Sequence, residues 1–302
     1  MNMGSEKVTS QTVYTGQLYV VATPIGHLDD LSVRALRVLS EVDLILAEDT
    51  RHSQKLLQHY GLRQRLVSLH EHNEKSRISD ILQWLSEGRQ LALVSDAGTP
   101  LIADPGFVLV RTLREQGVRV IPIPGPSALI AALSVSGLPS DRFQFVGFVP
   151  AKSGARQRFL ADLVRYSGTS VCFESPRRIS STLADLAELV PSRPLVLARE
   201  LTKQFETVLS GTATELLAFL ANDANQCRGE MVLLVGGAPL ADISNQGGVS
   251  VDIDQTLLAL ATHLPLKTAA GLATELGLGA KNALYQRLLR LRSEADDSDS
   301  DP

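Results

Sequence analysis

The 302-residue sequence holds only two cysteines, Cys172 and Cys227, and no C-x-x-C pair. That leaves neither a thiolate zinc site nor a disulfide framework to read, and it suits a reducing compartment. No apolar run approaches the ~20 residues that span a bilayer. The stretch from Met1 to Gly16 is polar and lacks the apolar centre of a secretion signal, so a cytoplasmic, membrane-free protein is expected. Several common chemistries are missing as well. There is no G-x-G-x-x-G, no P-loop, no H-E-x-x-H, no EF-hand loop and no G-x-S-x-G. The one dense group of potential ligands is His70-Glu71-His72-Asn73-Glu74. On a strand, His70 and His72 would face the same way, but a polar loop after Leu66–Leu69 is the expected state, and no metal is assigned.

What is present is an ordinary globular composition, 44% apolar and 21% charged. The net charge of −4 is uneven. Glu294, Asp296, Asp297, Asp299 and Asp301 crowd the stretch 293–302, whose composition predicts an acidic, disordered tail. Just before it, 265–292 carries Lys267, Lys281, Arg287, Arg290 and Arg292 against the single acid Glu275. Basic segments meet phosphate backbones, although a solvated helix face is the plainer alternative.

The first half alternates short apolar runs (18–22, 43–47, 91–94, 118–121) with helical patterns such as 31–39 and 108–116, which predicts a mostly parallel sheet covered on both faces. The second half repeats the theme, with strands expected at 146–149, 170–173, 195–198 and 230–235, a helix at 179–189, and a hairpin or edge at 205–210. The reading is α/β in two domains, 16–125 and 126–238. A Gly/Pro/Ser-rich linker, 239–252, then leads to a small helical module, 253–292. There Gly277-Leu278-Gly279 separates two of three helical patterns, as in a helix-turn-helix unit or a plain helical hairpin.

Four Gly/Pro-rich loops each follow a strand of the first half: Thr23–Leu28, Glu48–Arg51, Ser95–Gly106 and Ile123–Ala128. Any one is explained as a turn. Four along one sheet edge, where α/β proteins bind ligands, point to a site.

In order, the motifs T-P-I-G-x-L, E-D-T-R, H-E-H-N-E, S-D-A-G-T-P, D-P-G, P-G-P-S-A, E-S-P-x-R and A-R-E-L-T-K resemble the tetrapyrrole methylase superfamily. They are most similar to its branch acting on the ribose 2′-oxygen of a cytidine in small-subunit (16S) ribosomal RNA. Two departures stand out: His27 where Asn is usual, and Arg177 where His is usual. The resemblance implies a homodimeric S-adenosylmethionine-dependent methyltransferase that partners ribosomal RNA and holds its methyl donor in a cleft between two α/β domains. It implies donor contacts at Pro24, Ser95, Asp96, Ala97, Gly98, Ile102, Ser127, Ala128 and Leu201. Weakly nucleophilic ribose hydroxyls call for a base, with Glu48, Asp49 and Glu71 as candidates. Arg51, Arg178 and Lys203, with Lys281 and Arg287 of the basic module, are candidates for phosphate contacts; ion pairing is the plain alternative for Arg178. A tetrapyrrole C-methyltransferase and a non-catalytic ribosome-assembly factor are the other functions compatible with these features.

Overall fold

The computed structural model describes residues 14–239 and 253–298. They form two compact units, divided after Ala238. The first unit opens with β1 (Gln17–Val21), α1 (Val33–Glu41), β2 (Leu44–Ala47), α2 (Thr50–His59), β3 (Arg65–Ser68), α3 (Glu74–Ser86), β4 (Gln90–Val94), α4 (Phe107–Glu115) and β5 (Arg119–Ile123). The strands lie in the order β3-β2-β4-β1-β5, every neighbour parallel.

The apolar alternation explains the layers. Ile45 and Ala47 pack with Ala35, Leu39 and Leu57 of α1 and α2 on one face. Leu44 and Leu46 pack with Ile81, Leu85, Leu109 and Leu113 of α3 and α4 on the other. Both faces are covered, as the apolar runs predict. Local signals set the helix starts. The Ser32 hydroxyl accepts from the Ala35 N–H at 3.1 Å, and Asp49 caps α2 by accepting from the Arg51 N–H at 2.8 Å.

The second half continues with α5 (Ala128–Val135), β6 (Phe143–Phe148), α6 (Ser153–Leu163), β7 (Thr169–Glu174), α7 (Ile179–Leu189), β8 (Leu195–Arg199), β9 (Thr207–Gly211), α8 (Ala213–Asn222) and β10 (Met231–Val235). Its order is β6-β7-β10-β8-β9. Only β6 and β7 are parallel; β10 runs antiparallel to both neighbours, and β9 is the antiparallel edge expected near 205–210. One face packs on α6, α7 and α8 through Leu160, Leu183 and Leu216. The other packs on α5 through Leu129, Ala132 and Leu133, and this cluster includes Ile25 and Leu201.

Three further helices, α9 (Ile253–His263), α10 (Leu266–Glu275) and α11 (Lys281–Ser298), make the second unit. Leu257, Ala269, Ala270, Ala273, Leu284 and Leu288 form its core. Gly277 and Gly279, at φ 77° and 148°, supply the left-handed turn before α11. Arg287 grips Asp254 through two nitrogens, at 2.5 and 2.9 Å, tying α11 to α9. One expectation is corrected: α11 continues through Ser298, so most of the acidic stretch is helical. Good helix formers such as Arg290, Leu291, Arg292, Glu294 and Ala295 carry the helix into it. Residues 299–302, residues 240–252 of the linker and the N-terminal 1–13 lie outside the described residues.

Candidate active site

Because β1, β2, β4 and β5 are parallel, all four Gly/Pro-rich loops emerge at the carboxyl edge of the first sheet. They interlock there. Thr23 and Gly98 exchange backbone hydrogen bonds at 2.8 and 3.0 Å, an isolated bridge between the loops after β1 and β4. The Thr99 hydroxyl donates to the Pro126 carbonyl at 2.9 Å.

A cavity of about 510 Å³ opens beyond this edge, in the size range of small-molecule sites. The first half contributes Ile25, Glu48, Ala97, Gly98 and Ile102, and α5 begins at the wall with Ser127 and Ala128. The second sheet contributes Ala198, Met231 and Val232, with Leu201 from the loop after β8. Phe148 and Phe173 line it too, their rings 5.3 Å apart edge to face. Small and apolar groups thus make up much of the wall; acids gather at Glu48, Asp96 and Asp104 at one end, and Glu174 and Glu230 line the side of the second sheet.

Backbone conformation marks the same loops. Among the described residues, the non-glycine positions with positive φ are Leu101 (73°), Ala103 (66°), Glu200 (51°) and Thr202 (64°). All four fall in the loops after β4 and β8 that line the cavity. Such strain gathers at functional sites, held there by surrounding structure. Gly98, at φ 81°, serves the same geometry, and a Cβ on it would meet Ile25 Cγ2 at 3.3 Å. Gly98→Ala is expected to cost about 1–2 kcal/mol of unfolding free energy, read by denaturant titration.

The acidic end has its own electrostatics. Burial pushes the Glu48 carboxyl above its ordinary value, and the charges of Asp104, Asp96 and Asp49 add to this. Burial likewise raises Asp104; a hydrogen bond from Ser95 opposes the shift and the Asp96 charge adds to it. Asp49 behaves oppositely: hydrogen bonds from the Arg51 side chain and backbone hold it far below the carboxylate range. Asp49 is thus committed to its cap, and its N–H donates to Asp96 Oδ1 at 3.1 Å.

Of the residues singled out in the sequence, Glu48, Asp96, Ala97, Gly98, Ile102, Ser127, Ala128 and Leu201 line the cavity. Pro24 and Ser95, also singled out, are buried and outside the lining. Arg51 is largely exposed and bound to Asp49 at 2.8 Å. Glu71 is exposed, in the turn ahead of α3, outside the lining. Its neighbour Glu74 is buried and accepts from the Leu109 N–H at 2.7 Å, so that member of the cluster is structural. Arg178 pairs with the buried Glu174 at 3.0 Å, and Lys203 with Glu200 at 3.0 Å and Glu230 at 3.2 Å. Lys281 and Arg287 belong to the second unit, where Lys281 is exposed and Arg287 holds Asp254.

His27, the departure in the first loop, has a capping role: its Nδ1 accepts from the Asp29 N–H at 3.3 Å, starting a short 3-10 turn. Arg177 is exposed. Sequence reasoning missed Asp104, Phe148, Phe173, Met231 and Val232 as wall residues. Asp104 carried a signal, since it stands in the D-P-G motif; the others reach the wall only through long-range pairing of the second sheet. Among the described residues, no group of three or more His, Cys, Asp or Glu is placed to hold a metal ion, and no helix is long and apolar enough to cross a membrane.

Residues 17–217 match the family described as Tetrapyrrole (Corrin/Porphyrin) Methylases, and residues 248–292 match the RsmI C-terminal HTH domain. The chain is 51% identical over 275 residues to the Ribosomal RNA small subunit methyltransferase I of Escherichia coli O157:H7, covering 91% of this chain and 95% of that protein. It is 49% identical over 276 residues to the protein of the same name from Haemophilus influenzae, covering 91% and 97%. The solved structure of uroporphyrin-III C-methyltransferase from Thermus thermophilus, complexed with S-adenyl homocysteine, superposes with TM-score 0.51 at 21% identity, over 73% of this chain and 97% of that one, a likeness of fold. With its two sheets, its cavity and the match over 17–217, the chain belongs to the tetrapyrrole (corrin/porphyrin) methylase family.

Proposed function

We propose that this chain is an S-adenosylmethionine-dependent methyltransferase that methylates the ribose 2′-oxygen of a cytidine in small-subunit (16S) ribosomal RNA. The observation that carries the reading is the cavity: small and apolar walls with a group of carboxylates at Glu48, Asp96 and Asp104, in a chain about half identical to proteins named for that RNA. Its residues fit the donor. Ala97, Gly98 and Ala128 leave space beside backbone polar groups, and Phe148, Phe173 and Ile102 suit an adenine ring. Glu48, Asp96 and Asp104 favour a cationic ligand and repel a phosphate, so this end faces the donor and the hydroxyl rather than the RNA backbone.

When bound, the donor supplies an electrophilic methyl on a positively charged sulfur. The chain contributes position and proton transfer. The interlocked loops after β1, β4 and β5 fix the site, which is the main resource for an in-line displacement. Glu48 lines the cavity and its raised carboxyl makes it a better base near neutral pH than an ordinary glutamate. Glu48 takes the proton of the attacking 2′-hydroxyl. Asp49, held low and engaged with Arg51, is left with a capping role.

RNA is held from outside the cavity. Exposed Lys267 and Lys281 of the helical unit supply phosphate contacts, whereas Arg287 is occupied by Asp254. The double variant Lys267→Ala, Lys281→Ala is expected to weaken RNA binding and to lower the slope of log affinity against log salt by about 1.5, with donor affinity unchanged. The enzyme acts in the cytoplasm as a homodimer; β6, an edge strand bearing exposed Phe143, suits contact with a second copy.

The test is transfer of labelled methyl from S-adenosylmethionine to small ribosomal subunits from cells lacking the modification, with uroporphyrinogen in a parallel reaction. Label on a cytidine 2′-oxygen is the expected result. Label in the tetrapyrrole alone, or in neither acceptor, overturns the reading.

A further inference from the structure

The loop between β8 and β9 has a backbone that its sequence does not announce. Glu200 and Thr202 take φ 51° and 64°, a conformation that side-chain-bearing residues rarely adopt, and between them Leu201 faces the cavity. A turn of this kind persists only where its surroundings force it.

Here those surroundings are explicit. The Glu200 N–H donates to the Glu230 carbonyl at 2.9 Å, and the Glu230 N–H donates back to Glu200 Oε1 at 2.9 Å. Lys203 Nζ donates to the same Oε1 at 3.0 Å and meets Glu230 Oε2 at 3.2 Å. The Thr202 N–H donates to Glu206 Oε2 at 2.6 Å, while its hydroxyl accepts from the His27 N–H at 3.0 Å. Two glycines admit the closure: a Cβ on Gly229 would lie 2.3 Å from the Glu200 carboxylate, and one on Gly26 would lie 2.5 Å from Lys203 Cγ.

The Lys203 ammonium is therefore the centre of a three-residue ion cluster. Burial works against its charge, but Glu200 and Glu230 outweigh that and raise its pKa, so it stays charged. Two carboxylates within 3.2 Å are a poor setting for a phosphate, whose charge they repel.

We propose that Lys203, clasped by Glu200 and Glu230, is a positioning residue for the methyl donor: it locks the left-handed turn that presents Leu201 to the cavity, and it makes no contact with RNA. The inference rests on reading the cavity as the donor site.

The experiment measures S-adenosylmethionine binding to the full chain by calorimetry without RNA, and RNA binding across a salt series separately. Lys203→Met is expected to weaken donor binding about tenfold and to raise KM for the donor more than it lowers kcat, with RNA affinity and its salt slope unchanged. Lys203→Arg, which keeps the charge, is expected to recover most of the loss. Should Lys203→Met lack a native melt, Glu230→Gln carries the test, since its exposed side chain can go while Glu200 still holds Lys203; about threefold weaker donor binding is expected. Unchanged donor binding in these variants overturns the proposal, as does weaker RNA binding with a salt slope lower by about one, the mark of a lost phosphate contact. Failure of the unaltered chain to bind the donor would instead strike the reading of the cavity.

Discussion

Glu48→Gln is expected to lower kcat for RNA methylation at least about 100-fold, far more than it weakens donor binding, while leaving RNA binding nearly intact. The amide keeps the size and polarity of the side chain but accepts no proton. Of the three acids named as base candidates, Glu48 alone both lines the cavity and has its carboxyl raised, first by burial and then by Asp104, Asp96 and Asp49. The sign of the pH effect follows. A base must be deprotonated to act, so activity is lost as pH falls through the raised pKa of Glu48. The acid limb of the rate profile therefore lies above 4.5, the ordinary glutamate value, and Glu48→Gln removes it. Glu71→Gln, an exposed change outside the lining, is expected to move kcat by less than about twofold. A full-rate Glu48→Gln enzyme would take the proton-transfer role away from this residue.

Glu174→Ala is expected to destabilise the first unit by about 3 kcal/mol, a fall of roughly 6–12 °C in melting temperature. The Glu174 side chain is wholly buried where β7 meets the cavity wall. Its carboxylate accepts from the Ser175 N–H at 2.5 Å, the Thr182 hydroxyl at 2.6 Å and Arg178 at 3.0 Å. Alanine leaves three donors facing an apolar gap, and an unpaired buried donor costs more than its bond was worth. Arg178→Ala should destabilise in the same direction but less, because its side chain is partly exposed. Calorimetric melts of both variants check the order. If Arg178→Ala leaves the melt unchanged and weakens RNA binding alone, Arg178 is a phosphate contact and not a structural partner.

Much of the first half was legible because its signals are local. Glycine and proline cluster where parallel strands end, and the alternation in Leu44–Ala47 gives two buried faces. The loops at Thr23, Glu48, Ser95 and Ile123 followed from this before any coordinate. The second sheet was less legible for a physical reason. A strand such as Met231–Val235 is buried along its whole length, and a continuous apolar run reads alike whether its neighbours are parallel or antiparallel. Nothing near Met231 or Val232 hints that they reach the cavity. The positive φ of Leu101, Ala103, Glu200 and Thr202 was hidden because none is glycine. His27 shows the converse: its side chain has a local role that its sequence position alone did not announce, the imidazole nitrogen capping a short turn.

The position of β10 also sets an order of events on the ribosome. It is the last strand of its unit to be made, yet it sits in the middle of its sheet, between β7 and β8, and it furnishes Met231 and Val232 to the cavity. Chains grow from the N-terminus at about 5–20 residues per second. Until residue 235 has left the exit tunnel, β8 and β9 have no partner joining them to β6 and β7, and no closed pocket exists. The nascent chain lacks the cavity for most of its synthesis and acquires it in one late step.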